Sequence, residues 1–208
     1  MSPSPKMSIQ RNHPMQLLLI RHGRPETESR SPDPQLTEEG RSQAELLGAF
    51  LARARIGAIF ASPLRRTIET AEPAARRLGL DIRVVDELAE ADRFGSHYRS
   101  VEELRASPKD WRAFLDDPIR FLGADPEVFK RGVVAALDLA FASAGDGKIA
   151  LFTHGLPINV ALSHALGLQR ITHFVPHYCS VTRIGGKSTA DLSVISVNET
   201  AFLERAPQ

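Results

Sequence analysis

Strand-length apolar runs recur along the chain, and most are separated by stretches with helical spacing. The runs are Met15–Arg21, Ile56–Phe60, Ile82–Val85, Lys148–Thr153, Val181–Ile184 and Ala190–Val197. Ala44, Leu47, Phe50 and Leu51 repeat at intervals of three and four, the mark of a helix with one apolar face. Thr37 is the expected N-cap of that helix, with Glu38 and Glu39 in the first turn where the helix dipole favours them. A second helix is expected with Ser62 as N-cap, Pro63 at its first position and Gly79 as its stop. Glu127–Ala144 and Leu156–Leu166 complete the helical pattern, with shorter helices near Val101–Arg105 and Trp111–Leu115. Strands alternating with helices predict an α/β fold: a single three-layer domain, with helices on both faces of a mainly parallel sheet.

Size and charge narrow the function classes. The chain has 208 residues, 42% of them hydrophobic and 25% charged, which is enough for one well-formed core. Lys plus Arg is 26 against 25 for Asp plus Glu, so the basic excess typical of a nucleic-acid binder is absent. One cysteine, Cys179, rules out an internal disulfide and a multi-cysteine zinc site. No run approaches the roughly 18 apolar residues of a membrane-spanning helix. Residues 1–14 lack an apolar secretory core and read as a flexible tail, with Met7 and Met15 as alternative starts and the domain over 15–208. A cytoplasmic location follows by default. Oligomeric state is not legible.

The chemistry gathers where apolar runs end. Arg21-His22-Gly23 closes the first, Ser62 and Arg65-Arg66 follow the second, and His154-Gly155 follows the fourth. In open α/β sheets ligands bind beyond the carboxyl ends of the strands, so these groups are expected on one rim. Arginine offers a permanently charged fork of donors that fits phosphate oxygens. A neutral imidazole can attack phosphorus and divide the displacement into two steps. The helix after His154 would add backbone N–H groups, and a carboxylic acid would protonate the leaving oxygen.

In this arrangement the sequence resembles the histidine phosphatase superfamily, also called phosphoglycerate-mutase-like. Leu17-Leu18-Leu19-Ile20-Arg21-His22-Gly23 is similar to its strand plus R-H-G signature, and Leu36-Thr37-Glu38-Glu39-Gly40 to its L-T-x-x-G helix start. Ser62-Pro63-Leu64-Arg65-Arg66-Thr67-Ile68-Glu69-Thr70-Ala71 resembles S-P-L-x-R-A-x-x-T-A, with Thr67 in place of Ala. Phe152-Thr153-His154-Gly155 resembles the S-H-G motif of the second histidine. Four motifs in the expected order are a specific signal where R-H-G alone is not.

The resemblance implies a histidine acid phosphatase-type phosphoric monoester hydrolase, acting on a small phosphorylated substrate without metal or cofactor. His22 would become phosphohistidine, Arg21 and Arg66 would clamp the phosphoryl group, and His154 would donate to it. The family's acid is the Glu of an L-x-E pattern, here Leu88-Ala89-Glu90, with Glu87 as runner-up. Gly23, Arg24, Gly155 and Leu156 are further candidates for substrate contact; for Arg24 a surface salt bridge is the ordinary alternative. Two departures stand out: Glu28 where many members have Asn, and Gly95-Ser96-His97-Tyr98 in place of a G-x-W-E-G stretch. A phosphoglycerate-type mutase and a non-catalytic phospholigand-binding module are the alternatives on the same scaffold. No partner among nucleic acids or membranes is expected.

Overall fold

The computed structural model describes residues 15–27, 31–95, 98–143 and 147–204. The tail over 1–14, Glu28 and the Ser96-His97 pair lie outside the described residues. Six strands form one sheet: β1 (Met15–Arg21), β2 (Ile56–Ala61), β3 (Ile82–Val84), β4 (Lys148–Thr153), β5 (Val181–Gly186) and β6 (Leu192–Glu199). Their order is β3-β2-β4-β1-β5-β6. The first four run parallel, and β5 is antiparallel to both β1 and β6.

Alternation along β1 shows why the fold has three layers. Leu17 and Leu19 join a core with Leu137 and Ala140 of α6 (Pro126–Ala142) and Ile158 and Leu162 of α7 (Gly155–Leu166). Leu18 and Ile20 point the other way, to Leu47 and Leu51 of α1 (Glu38–Leu51) and Ala71 and Ala74 of α2 (Arg65–Leu78). A strand buried on both faces has to be a continuous apolar run, and Leu17–Ile20 is fully buried. The expected α/β architecture is therefore the one observed.

Local differences have physical causes. Thr37 caps α1 as expected, its side chain accepting from the Gly40 amide. Ser62 does not cap α2, which begins at Arg65 with Leu64 as N-cap. Ser62 Oγ accepts instead from the Leu64 amide at 3.2 Å and bonds His154 at 2.8 Å. The irregular stretch 86–125 contains a 3-10 turn (Asp86–Leu88) and three short helices, α3 (Val101–Ala106), α4 (Pro108–Asp116) and α5 (Pro118–Phe121). Among the described residues no helix is long and apolar enough to cross a membrane.

The loop after β1 is pinned by a close backbone approach. A Cβ on Gly40 would lie 2.2 Å from the Arg24 carbonyl oxygen, so no side chain fits there. Gly40→Ala is expected to destabilise by about 1–3 kcal/mol, despite the better helix propensity of Ala. Urea denaturation measures it; an unchanged midpoint would contradict this packing.

Candidate active site

The sheet order assembles the site. β4 lies between β1 and β2, so the three strand ends carrying His22, His154 and the Ser62–Arg66 turn are neighbours. β5 runs the opposite way and pairs Val181 with Ile20, which brings the loop before it, including Tyr178 and Cys179, to the same rim. β3 pairs Val84 with Ala61, and the chain leaves it toward Glu90. Cys179 is a buried packing residue; it holds a positive φ of 56°, and its amide bonds the Arg21 and His22 carbonyls.

His22 is 2% exposed, and hydrogen bonds hold both its backbone and its ring. Its amide donates to the Thr153 carbonyl, extending the β1–β4 pairing. Its Nδ1 lies 2.8 Å from the Gly23 carbonyl, which only accepts, so the proton sits on Nδ1 and the Nε2 lone pair is free. The Gly23 amide donates to Thr70 Oγ1, which donates to the Arg66 carbonyl, tying the turn after β1 to α2. Burial, then the nearby Arg66 and Arg21 charges, hold the His22 imidazole well below the usual histidine pKa, so it is neutral at neutral pH.

His154 packs beside it, ring centroids 5.1 Å apart, and the same burial and charges keep it neutral. Since Ser62 Oγ accepts from the Leu64 amide, its hydroxyl hydrogen is free to donate to His154 Nε2. With the Ser62 hydroxyl donating, the His154 proton sits on Nδ1, which is buried without a partner among the described residues.

Arg66 is fully buried, yet none of its three guanidinium nitrogens has a hydrogen-bond partner among the described residues. Asp33 and Asp92 stand at 3.7 and 3.6 Å, giving charge balance without hydrogen bonds, and the Tyr98 ring lies 4.7 Å away. Arg21 donates to the Pro176 carbonyl at 2.6 Å and stacks 4.0 Å over Tyr178, leaving its Nε unpaired. A buried donor left unpaired costs about 1–3 kcal/mol, and here several surround one imidazole. An anion with several oxygens would satisfy them together.

Glu90 lines the same cavity as His22, Arg21 and Arg66. It accepts from the Ala91 and Leu156 amides. Burial, reinforced by the Asp92 charge, raises its pKa to about 7 despite those bonds. Gly155 and Leu156 also line the cavity, but the Leu156 amide is given to Glu90, so the start of α7 orients the acid with that group.

Three candidates are placed elsewhere. Glu87 is exposed and does not line the cavity. Arg24 turns to the surface and pairs with Glu39 at 2.7 Å, its ordinary alternative. Gly23 acts through its backbone, orienting His22, and does not face the cavity. Sequence reasoning missed Asp92, Tyr98 and Tyr178. Asp92 had a signal, a second carboxylate two residues from Glu90; the tyrosines reach the site only through folding.

Comparison with known proteins agrees with this geometry. The model of the histidine phosphatase superfamily (branch 1) matches residues 17–198. Phosphoserine phosphatase 1 of Hydrogenobacter thermophilus is 28% identical over 165 residues, 74% of this chain and 78% of that protein. The probable phosphoglycerate mutase GpmB of Salmonella paratyphi A is 28% identical over 198 residues, 90% of this chain and 92% of that protein. Among solved structures, Bacillus stearothermophilus YhfR superposes with a TM-score of 0.75 at 21% identity, covering 91% of this chain and all of that one, a likeness of fold. With the family model spanning most of its length, the chain belongs to the histidine phosphatase superfamily.

Proposed function

We propose that the chain is a metal-independent phosphomonoester hydrolase of the histidine acid phosphatase type, acting through phosphohistidine on His22. The observation that carries this reading is the set of buried, unpaired donors of Arg21, Arg66 and His154 around a neutral imidazole whose Nδ1 is already engaged. In the first step His22 Nε2 forms a bond to phosphorus as the bond to the ester oxygen breaks. Glu90 gives its proton to that oxygen, and an alcohol leaves. The arginines and His154 Nδ1–H hold the three non-bridging oxygens as charge redistributes. Water then attacks the phosphohistidine, Glu90 takes its proton, and phosphate and free His22 are regenerated.

The pH dependence has a defined sign. Glu90 is protonated below about 7 and ionised above it. Hydrolysis of p-nitrophenyl phosphate in EDTA is therefore expected to fall as pH rises through about 7. With poorer alcohol leaving groups Glu90→Gln should lower kcat about 10²–10⁴-fold and erase the alkaline limb. A profile that keeps that limb in the variant would remove Glu90 as the acid. The extended likeness to GpmB supports a mutase as the second reading; isomerisation of 3-phosphoglycerate faster than hydrolysis would favour it.

A further inference from the structure

Beyond the phosphate-sized cluster the cavity continues as an apolar chamber. The whole cavity, with its phosphate end, occupies about 200 Å³. Helix α4 forms one wall: Trp111, Phe114 and Leu115 lie on one helical stripe, and no residue of α4 is fully buried. Leu104 from α3 and Ile171 and Phe174 from the loop after α7 close other sides. Phe114 also packs on Trp111, Phe121 and a small core around Ile119 and Ile171, so the stripe is a supported apolar wall of a cavity, the lining that an apolar ligand group fits.

The polar groups in this wall are already used. Asn159 donates to the Gly155 and Phe174 carbonyls and accepts from the Phe174 amide. Thr172 Oγ1 reaches the Leu115 carbonyl at 3.4 Å. Arg99, the cation lining this part of the cavity, is bound to Asp110 at 2.5 Å. Apart from Arg21 and Arg66, assigned to the phosphoryl group, the other ionisable side chains lining the cavity are Glu90 and Asp92, and neither offers a cation to a carboxylate.

We infer that the leaving group is an uncharged, apolar alcohol or phenol, seated against Leu104, Trp111 and Phe114, and not a carboxylate-bearing one such as phosphoserine or phosphoglycerate. The inference rests on the phosphatase reading for its chemistry and on the chamber for its specificity. The bond broken is the same phosphorus–oxygen ester bond, and Glu90 protonates the departing oxygen. At about 15 Å³ of such space per water-sized group, the cavity takes about a dozen non-hydrogen atoms, which leaves roughly eight beyond the phosphate.

Binding and turnover separate the two claims. Calorimetry with ethyl-, butyl-, hexyl- and octylphosphonate, whose phosphorus–carbon bond resists the displacement, should show Kd falling about two- to fourfold per methylene. Butylphosphonate should bind at least about tenfold tighter than 3-phosphonopropionate, which ends in a carboxylate. Phe114→Ala should flatten the chain-length series. Val175→Arg, at a rim position 46% exposed where the fold tolerates charge, should narrow the carboxylate penalty. A flat series, or tighter binding of 3-phosphonopropionate, overturns the apolar assignment even if p-nitrophenyl phosphate is hydrolysed. A steep series without hydrolysis of octyl phosphate would keep the chamber and overturn the phosphatase reading.

Discussion

Replacing His22 with Ala is expected to lower kcat for p-nitrophenyl phosphate on the order of 10⁵-fold, with binding of inorganic phosphate largely kept. Loss of a covalent nucleophile removes a whole reaction path, and the remaining donors rescue only a small fraction of the rate. In the proposed mechanism the phosphate donors are the buried, unpaired groups of Arg21, Arg66 and His154, which survive the substitution. The fold should survive as well, because the imidazole contributes one hydrogen bond, to the Gly23 carbonyl, worth about 1 kcal/mol. Steady-state kinetics with phosphate inhibition checks both halves. A loss under tenfold would mean that phosphoryl transfer does not pass through this imidazole.

Arg66→Met should separate function from stability. The side chain is fully buried with three donors unpaired among the described residues, a costly arrangement. Replacing a whole buried ion pair with apolar side chains is often neutral or stabilising by about 1–4 kcal/mol, whereas removing one partner alone costs about 3–5 kcal/mol if the other charge stays unpaired. Asp92, whose pKa burial already raises, can take up a proton once its cation is gone. Protonation of Asp92 and removal of the unpaired guanidinium offset the lost pairing, so the thermal midpoint is expected to move little. Activity should fall, with kcat/KM lower by about 10³-fold or more, because the fork that faces the transferring oxygens is lost. A variant that keeps activity within tenfold would show that Arg66 is not a phosphoryl ligand. One that unfolds would show that the charge balance of Asp33 and Asp92 outweighs the cost of burying this guanidinium.

What the sequence made legible was what local pattern controls. Leu17–Ile20 reads as a doubly buried strand because all four residues are apolar, and the two cores on its faces agree. Arg21, His22 and His154 could be placed at strand ends because apolar runs stop there. The order β2-β4-β1, which makes those ends neighbours, is set by packing and leaves no mark in any one segment. Ser62 shows the limit from the other side. A serine before Pro63 has the pattern of a helix cap, but a tertiary bond to His154 competes for its hydroxyl, and the helix begins later. Arg24 fails for a related reason: adjacency to His22 in sequence says nothing about direction, and Glu39 draws its guanidinium outward. The apolar chamber is legible only in part: the irregular stretch 86–125 reads as the place for a lid and leaving-group pocket, with Trp111 and Phe114 as core or lid residues, but the sequence does not show which side chains line it.

The most direct test of the account is to catch the intermediate. Enzyme mixed with p-nitrophenyl phosphate in EDTA, quenched in alkali during turnover and digested, should yield one phosphorylated peptide, with the phosphate on His22. The modification should disappear on acidification, as a phosphorus–nitrogen bond requires, and be missing in His22→Ala. Continued turnover with no phosphate on His22, or with phosphate on another residue, would contradict the phosphohistidine route.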